Sequence, residues 1–337
     1  MEISEPLTIA WAGLLVVAVY IYIILDGFDL GIGMLFAFFK NKRERDVLMN
    51  SVAPVWDGNE TWLILGGGGL FAAFPLAYAI IMPALYAPII AMLIGLILRG
   101  VAFEYRWRTK RWEKYWDWAF IGGSTMATLA QGITLGALLQ GIEVEGRDYA
   151  GGWWDWLSPF SLLTGASLVA GYCLLGATWL NMKTDGDIQV RAQAIAWKAF
   201  VATLVFIVGV SLATPFLETA YYQRWFTWPG IAIAAPVPVL VGWVSYLLFR
   251  YLVQEKREVS PFLLSLMLFG LCFLGLGISM YPYIIPTEIT IFDAATPFKS
   301  QIFMFIGAII LLPIILIYTA YAYYVFRGKI DPDKGYH

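Results

Sequence analysis

Four carboxylates stand in or beside runs apolar enough to lie in lipid. Asp26 and Asp29 sit in Leu25-Asp-Gly-Phe-Asp-Leu-Gly-Ile-Gly33, and Asp57 and Glu60 in Ser51-Val-Ala-Pro-Val-Trp-Asp-Gly-Asn-Glu-Thr-Trp62. An ionised carboxylate in hydrocarbon is costly, so such side chains face a partner, a cavity or an ion path. Each pair has the i, i+3 spacing that brings side chains to one side of a helix. Mid-membrane acids can relay protons through water, coordinate a cation or hold a cationic substrate. Roles that need imidazole are excluded from the membrane part, because the only histidine is the final residue, His337. Asp26 lies mid-run with no helix end to account for it, and Arg99 is a candidate counter-ion. Asp57 and Glu60 have a plainer reading as acids of a helix first turn opened by Pro54, favoured there by the macrodipole.

The elements that must position these acids are apolar helices. The chain of 337 residues is 60% hydrophobic and 14% charged, against about 25% charged in soluble domains, so it reads as an integral membrane protein. A span needs about 20 apolar residues. On that rule nine spans are predicted: 8–38, 55–74, 77–100, 117–140, 159–181, 194–213, 231–250, 261–281 and 300–326. The first is long enough to tilt, or to continue as helix towards Lys40. The second and third, joined by Ala73-Phe-Pro-Leu-Ala77, are expected to form a tight antiparallel pair. Gly66 to Gly69 lack the Lys-Ser/Thr of a phosphate loop and read as a helix-packing face. No cleavable signal peptide is evident at the N-terminus, where residues 1–6 are acidic rather than basic. The whole of 1–337 reads as one polytopic membrane domain.

Nineteen of the 22 lysines and arginines fall in or beside the connections after the first, third, fifth and seventh spans and in the C-terminal tail. That bias predicts an outward N-terminus and a cytoplasmic C-terminus. Tryptophans at Trp153, Trp154, Trp156, Trp225 and Trp228 read as interfacial anchors at the other side. A net charge of −2 speaks against a nucleic-acid partner. Cys173 and Cys272 show no metal or redox spacing and read as small core residues.

Four blocks in this order closely resemble subunit II of cytochrome bd-type quinol oxidases, including the cyanide-insensitive branch. They are Asp26-Gly-Phe-Asp-Leu-Gly-Ile-Gly33, Pro54-Val-Trp-Asp-Gly-Asn-Glu-Thr-Trp62, Gly68-Gly-Leu-Phe-Ala-Ala-Phe-Pro75 and Arg99-Gly-Val-Ala-Phe-Glu-Tyr-Arg106. The resemblance implies an all-α integral membrane fold of nine transmembrane helices, arranged as two four-helix bundles plus one extra helix. It implies a heterodimer in the bacterial cytoplasmic (inner) membrane, whose other chain, subunit I, holds two b-type haems and one haem d. This chain would ligate no haem or metal and carry no complete active site. It would support oxygen reduction by quinol and supply a cytoplasm-to-haem proton route.

By the same resemblance Asp57 and Asp26 lie on that route, with Asp29 and Glu60 in the same blocks. Trp56 lies near the subunit contact, and Asn59 and Arg99 are placed with it. The family leaves room for a structural quinone in this subunit and for a small single-helix accessory subunit, beside membrane lipids. The residues alone also admit an ion-coupled secondary transporter using the same carboxylates, although the two halves show no convincing repeat. A purely structural scaffold is the third reading.

Overall fold

The computed structural model describes residues 4–254 and 257–331. His337, and Lys256 and Lys334 of the basic excess, lie outside the described residues. Of the described residues 81% are helical. Its helices are α1 (Glu5–Leu35), α2 (Lys42–Asn50), α3 (Trp56–Ala73), α4 (Pro75–Ala84), α5 (Tyr86–Arg106), α6 (Glu113–Leu139) and α7 (Pro159–Lys183). They continue as α8 (Gly186–Ala213), α9 (Thr219–Phe226), α10 (Gly230–Ala234), α11 (Pro236–Phe249), α12 (Ser260–Met280), α13 (Ile291–Ala294) and α14 (Phe298–Val325). Two small antiparallel hairpins, β1 (Val144–Glu145) with β2 (Asp148–Tyr149) and β3 (Tyr283–Ile285) with β4 (Ile289–Thr290), close connections at one end.

Among the described residues seven helical segments are long and apolar enough to cross a membrane. Every predicted span is helical, but two fall short of that apolarity. α3 opens on Trp-Asp-Gly-Asn-Glu-Thr and carries four glycines, and α6 is rich in glycine and hydroxyl residues. The third predicted span is broken at Leu85 into α4 and α5. At 1.5 Å per residue, the 31 residues of α1 outrun a bilayer core of about 30 Å. The continuation towards Lys40 is not α-helical: a 3-10 turn, Phe36–Phe38, stops it, and Asn41 caps α2 by accepting from the Arg43 amide at 3.0 Å.

α1 is the axis of the fold, packing on α3, α6, α7, α12 and α14. Every residue of its last third, Asp26 to Leu35, is buried. Glycines allow the closest crossings. A Cβ on Gly31 would land on the Tyr172 carbonyl oxygen of α7, and one on Gly95 of α5 would come within 2.6 Å of the Gly123 carbonyl oxygen of α6. Backbone cannot retreat as a flexible side chain can. Gly31→Ala is therefore expected to destabilise by about 1–3 kcal/mol, read as a lower melting temperature of the purified protein. An unchanged melt would mean that α1 and α7 separate at little cost.

The expected tight pairing of the second and third spans is not what forms. α3 lies against α1, where Gly66 and Gly69 face Val19 and Leu15, while Gly67 and Gly68 open outwards. α5 instead packs along α6. Long side chains bridge α3 and α5 at one end, with the Trp56 ring stacked on Phe103 at 4.8 Å.

That end of the molecule is the basic one. Arg106 donates to Asp117 at 2.6 Å and to Asp46 at 2.7 Å, and Arg45 donates to the other Asp117 oxygen at 2.6 Å, so α2 is tied to the α5–α6 hairpin. Arg99 and Arg106, counted among the basic residues of that side, are in fact inside the protein, 0% and 2% exposed. The tail after α14 returns to the same end. Lys183 Nζ donates to the Phe326 and Gly328 carbonyls, and Lys329 pairs with Asp185 and Glu258. Hydrogen bonds from Gln189 and Lys329 hold the Glu258 carboxyl below its usual range.

α14 is peripheral. Gln301 is its only buried residue, held by Thr8, the Trp11 indole and the Thr296 carbonyl.

Candidate functional site

Helical spacing builds the site from α1. Tyr22, Asp26 and Asp29 follow at i, i+4 and i+7, so they share one face. Asp26 is 0% and Asp29 1% exposed, and neither lies at a helix end. Both are buried acids in need of donors.

Arg99 of α5 answers the first. Its guanidinium, 0% exposed, forks between two helices: Nη1 donates to Asp26 Oδ1 at 2.5 Å, and Nη2 to Glu60 Oε2 of α3 at 2.7 Å. The rigid planar fork suits this bridge in a way that a single ammonium does not. The guanidinium carbon also lies 5.9 Å from the Trp56 ring. Asp29 finds no cation of its own. Asn59 Nδ2 donates to its Oδ2 at 2.7 Å, and the Tyr323 hydroxyl of α14 donates to Asn59 Oδ1 at 2.9 Å. Three carboxylates therefore surround one guanidinium. Asp26 Oδ2, Asp29 Oδ1 and Arg99 Nε remain without a partner among the described residues.

The site reaches towards the surface through Glu60, whose side chain is 27% exposed, while Arg99 behind it is fully buried. Asp57 lies one turn before Glu60 on the open side of α3. It is exposed and stands outside the Arg99 cluster. The structure thus brings together Asp26, Asp29, Glu60, Asn59 and Arg99, sets Trp56 against them, and leaves Asp57 at the rim. A guanidinium does not give up its proton, so any passage from Glu60 to Asp26 runs beside Arg99 rather than through it.

Three tyrosines belong to the cluster and were not singled out from the sequence. Tyr323 lies in an aromatic run at the end of the chain that gives no sign of its role. Tyr22 had a signal, its i, i+4 spacing to Asp26. Tyr172 had none. Gln131 of α6 bridges the last two: its Nε2 donates to the Tyr22 hydroxyl at 2.6 Å and its Oε1 accepts from Tyr172 at 3.0 Å.

The blocks that build this cluster run from α1 to α5, and a family model named Cytochrome bd terminal oxidase subunit II matches residues 7–326. The chain belongs to that family. Among its relatives, cytochrome bd-I ubiquinol oxidase subunit 2 of Escherichia coli K12 is 32% identical over 366 aligned positions, covering 98% of this chain and 96% of that protein. Cytochrome bd ubiquinol oxidase subunit 2 of Bacillus subtilis is 30% identical, covering 95% of this chain and 96% of its own. A chain in the structure of bd oxidase from Geobacillus thermodenitrificans superposes with a TM-score of 0.81 at 18% identity, over 96% of this chain and all of that one. At that identity it speaks for the fold alone. As a cytochrome bd subunit II, the chain is a multi-pass protein of the bacterial inner membrane. The transporter reading falls away, since the matched relatives are oxidase subunits.

Proposed function

We propose that this chain is the non-haem-ligating subunit of a membrane quinol:O2 oxidoreductase, pairing with the haem-bearing subunit I and bringing protons towards it from the cytoplasm. The observation that carries the reading is the gathering of Asp26, Asp29 and Glu60 around buried Arg99, with Glu60 and Asp57 leading out of it. Protons enter at Asp57 and Glu60, pass beside the guanidinium, and are held at Asp26 and Asp29 before crossing to the partner. Arg99 fixes two of the carboxylates, and Asn59 and Trp56 hold α3 at the right distance. The exposed face of α3 that carries Asp57 is the side from which subunit I is approached.

In the same proposal residues 1–337 form one membrane unit of nine crossings, two four-helix bundles with α14 as the extra helix. The basic end faces the cytoplasm, as the bias of lysine and arginine favours. The complex holds two b-type haems and one haem d, which supply the oxygen chemistry when bound. A haem takes an axial histidine, methionine, cysteine thiolate or tyrosinate. Among the described residues there is no histidine and no group of three metal-ligating side chains. The two cysteines, half-buried in separate helices, are free. The donor set does not fit a histidine-ligated haem.

Purification through a tag on this chain from native membranes tests the assignment. A larger partner carrying the green absorption of haem d is expected to travel with it. Recovery of the chain alone, with solute uptake in liposomes, would overturn the proposal.

A further inference from the structure

The hydrogen-bond string on the far side of Asp26 has a direction. Tyr172 donates its hydroxyl proton to Gln131 Oε1, and Gln131 donates an amide proton to the Tyr22 oxygen. A phenol oxygen so engaged keeps its own O–H free to donate onward. Asp26 stands one turn along the same helix, at i+4, where its carboxyl interacts with the Tyr22 hydroxyl. Asp26 uses only Oδ1 for Arg99, and its Oδ2 is buried without a hydrogen-bond partner among the described residues, so it has an acceptor to spare. The reverse setting of the amide would turn the Tyr22 O–H towards Gln131 and leave Asp26 Oδ2 unserved. Tyr172 is locked in turn: it is 0% exposed, its ring stacks on Phe269 at 5.9 Å, and Gly27 lies against its edge.

We propose that Tyr172, Gln131 and Tyr22 form a one-way string of donors aimed at Asp26, and that they are positioning residues for the proton route. A primary amide donates and accepts but has no readily lost proton. The string therefore orients Asp26 without extending the route beyond it, and Gln131 marks the inner end of proton traffic in this chain. This rests on the proton-route reading above. The ionisable groups facing Asp26 are Arg99 from α5, Glu60 from α3, Asp29 and Tyr22 from α1, Tyr172 from α7 and Tyr323 from α14.

The experiment uses the purified, haem-loaded oxidase. Gln131→Leu is expected to lower oxygen-reduction turnover about threefold to tenfold, to shift its pH profile, and to move the infrared carboxyl band that Asp26→Asn removes. Tyr172→Phe deletes one oxygen and keeps the ring, so it gives the same reading where Gln131→Leu lowers assembly. Adding Gln131→Leu to Asp26→Asn is expected to cost nothing further, because the string acts through Asp26. An unmoved carboxyl band and pH profile in both single variants would overturn the string while leaving the route intact. Wild-type turnover in Asp26→Asn would instead sink the route itself.

Discussion

Arg99→Met is expected to leave little assembled oxidase. The substitution keeps an unbranched apolar stem and deletes the fork, so Asp26 at 0% exposure and Glu60 lose their shared cation together. Breaking a buried ion pair by removing one partner costs about 3–5 kcal/mol, because the orphaned charge stays inside. Here two acids are orphaned, and they sit on different helices, so α1 and α3 are pushed apart where α5 held them. Arg99→Lys is expected to rescue only partly, since one ammonium cannot reach both carboxylates with the guanidinium's geometry. Melting temperature and haem content per complex are the measurements. A variant with wild-type values for both would show that the fork is dispensable.

Asp26→Asn is expected to slow oxygen reduction about tenfold to a hundredfold while leaving quinol binding and the haem spectrum close to wild type. The amide fills the same space and can still accept from Arg99, so the packing of α1 survives; what is lost is a group that takes up and returns a proton. Asp57→Asn is expected to act in the same direction with a smaller loss, because an exposed rim residue can be bypassed by solvent. Steady-state oxygen consumption at saturating quinol separates the cases. Wild-type turnover in Asp26→Asn, with intact assembly, would remove the proton route, whatever Asp57→Asn does. Loss of the haem spectrum would recast these acids as assembly residues.

Much of this site could be read from residue spacing. The Asp26 and Asp29 pair lies in an unbroken apolar run, and Arg99 was the cation within reach; the 2.5 Å contact between Asp26 and Arg99 joins them. The i, i+3 relation of Asp57 and Glu60 was equally visible, yet it could not say that one faces Arg99 and the other the outside. That division depends on which side of α3 meets α1, and the glycines decide it: Gly66 and Gly69 turn inwards and Gly67 and Gly68 outwards.

Contacts across long stretches of chain were out of reach. Gln131 with Tyr22, and Tyr323 with Asn59, join residues 109 and 264 positions apart. Helical periodicity carries no information at that range. The approximate course of the helices was legible because hydropathy is local; the break at Leu85 and the open α3–α5 pair were not, because they follow from how whole helices pack.

Tyr323 gives the last helix a meaning for biogenesis. α14 leaves the ribosome after the other helices of the cluster, and it supplies the donor for the Asn59 side-chain oxygen, with Lys183 then fastening the residues that follow it. Until it arrives, Asn59, which donates to Asp29, lacks the donor to its own side-chain oxygen. The acid cluster is thus sealed only once α14 has been made, so a product terminated before Tyr323 lacks a closed site as well as a helix.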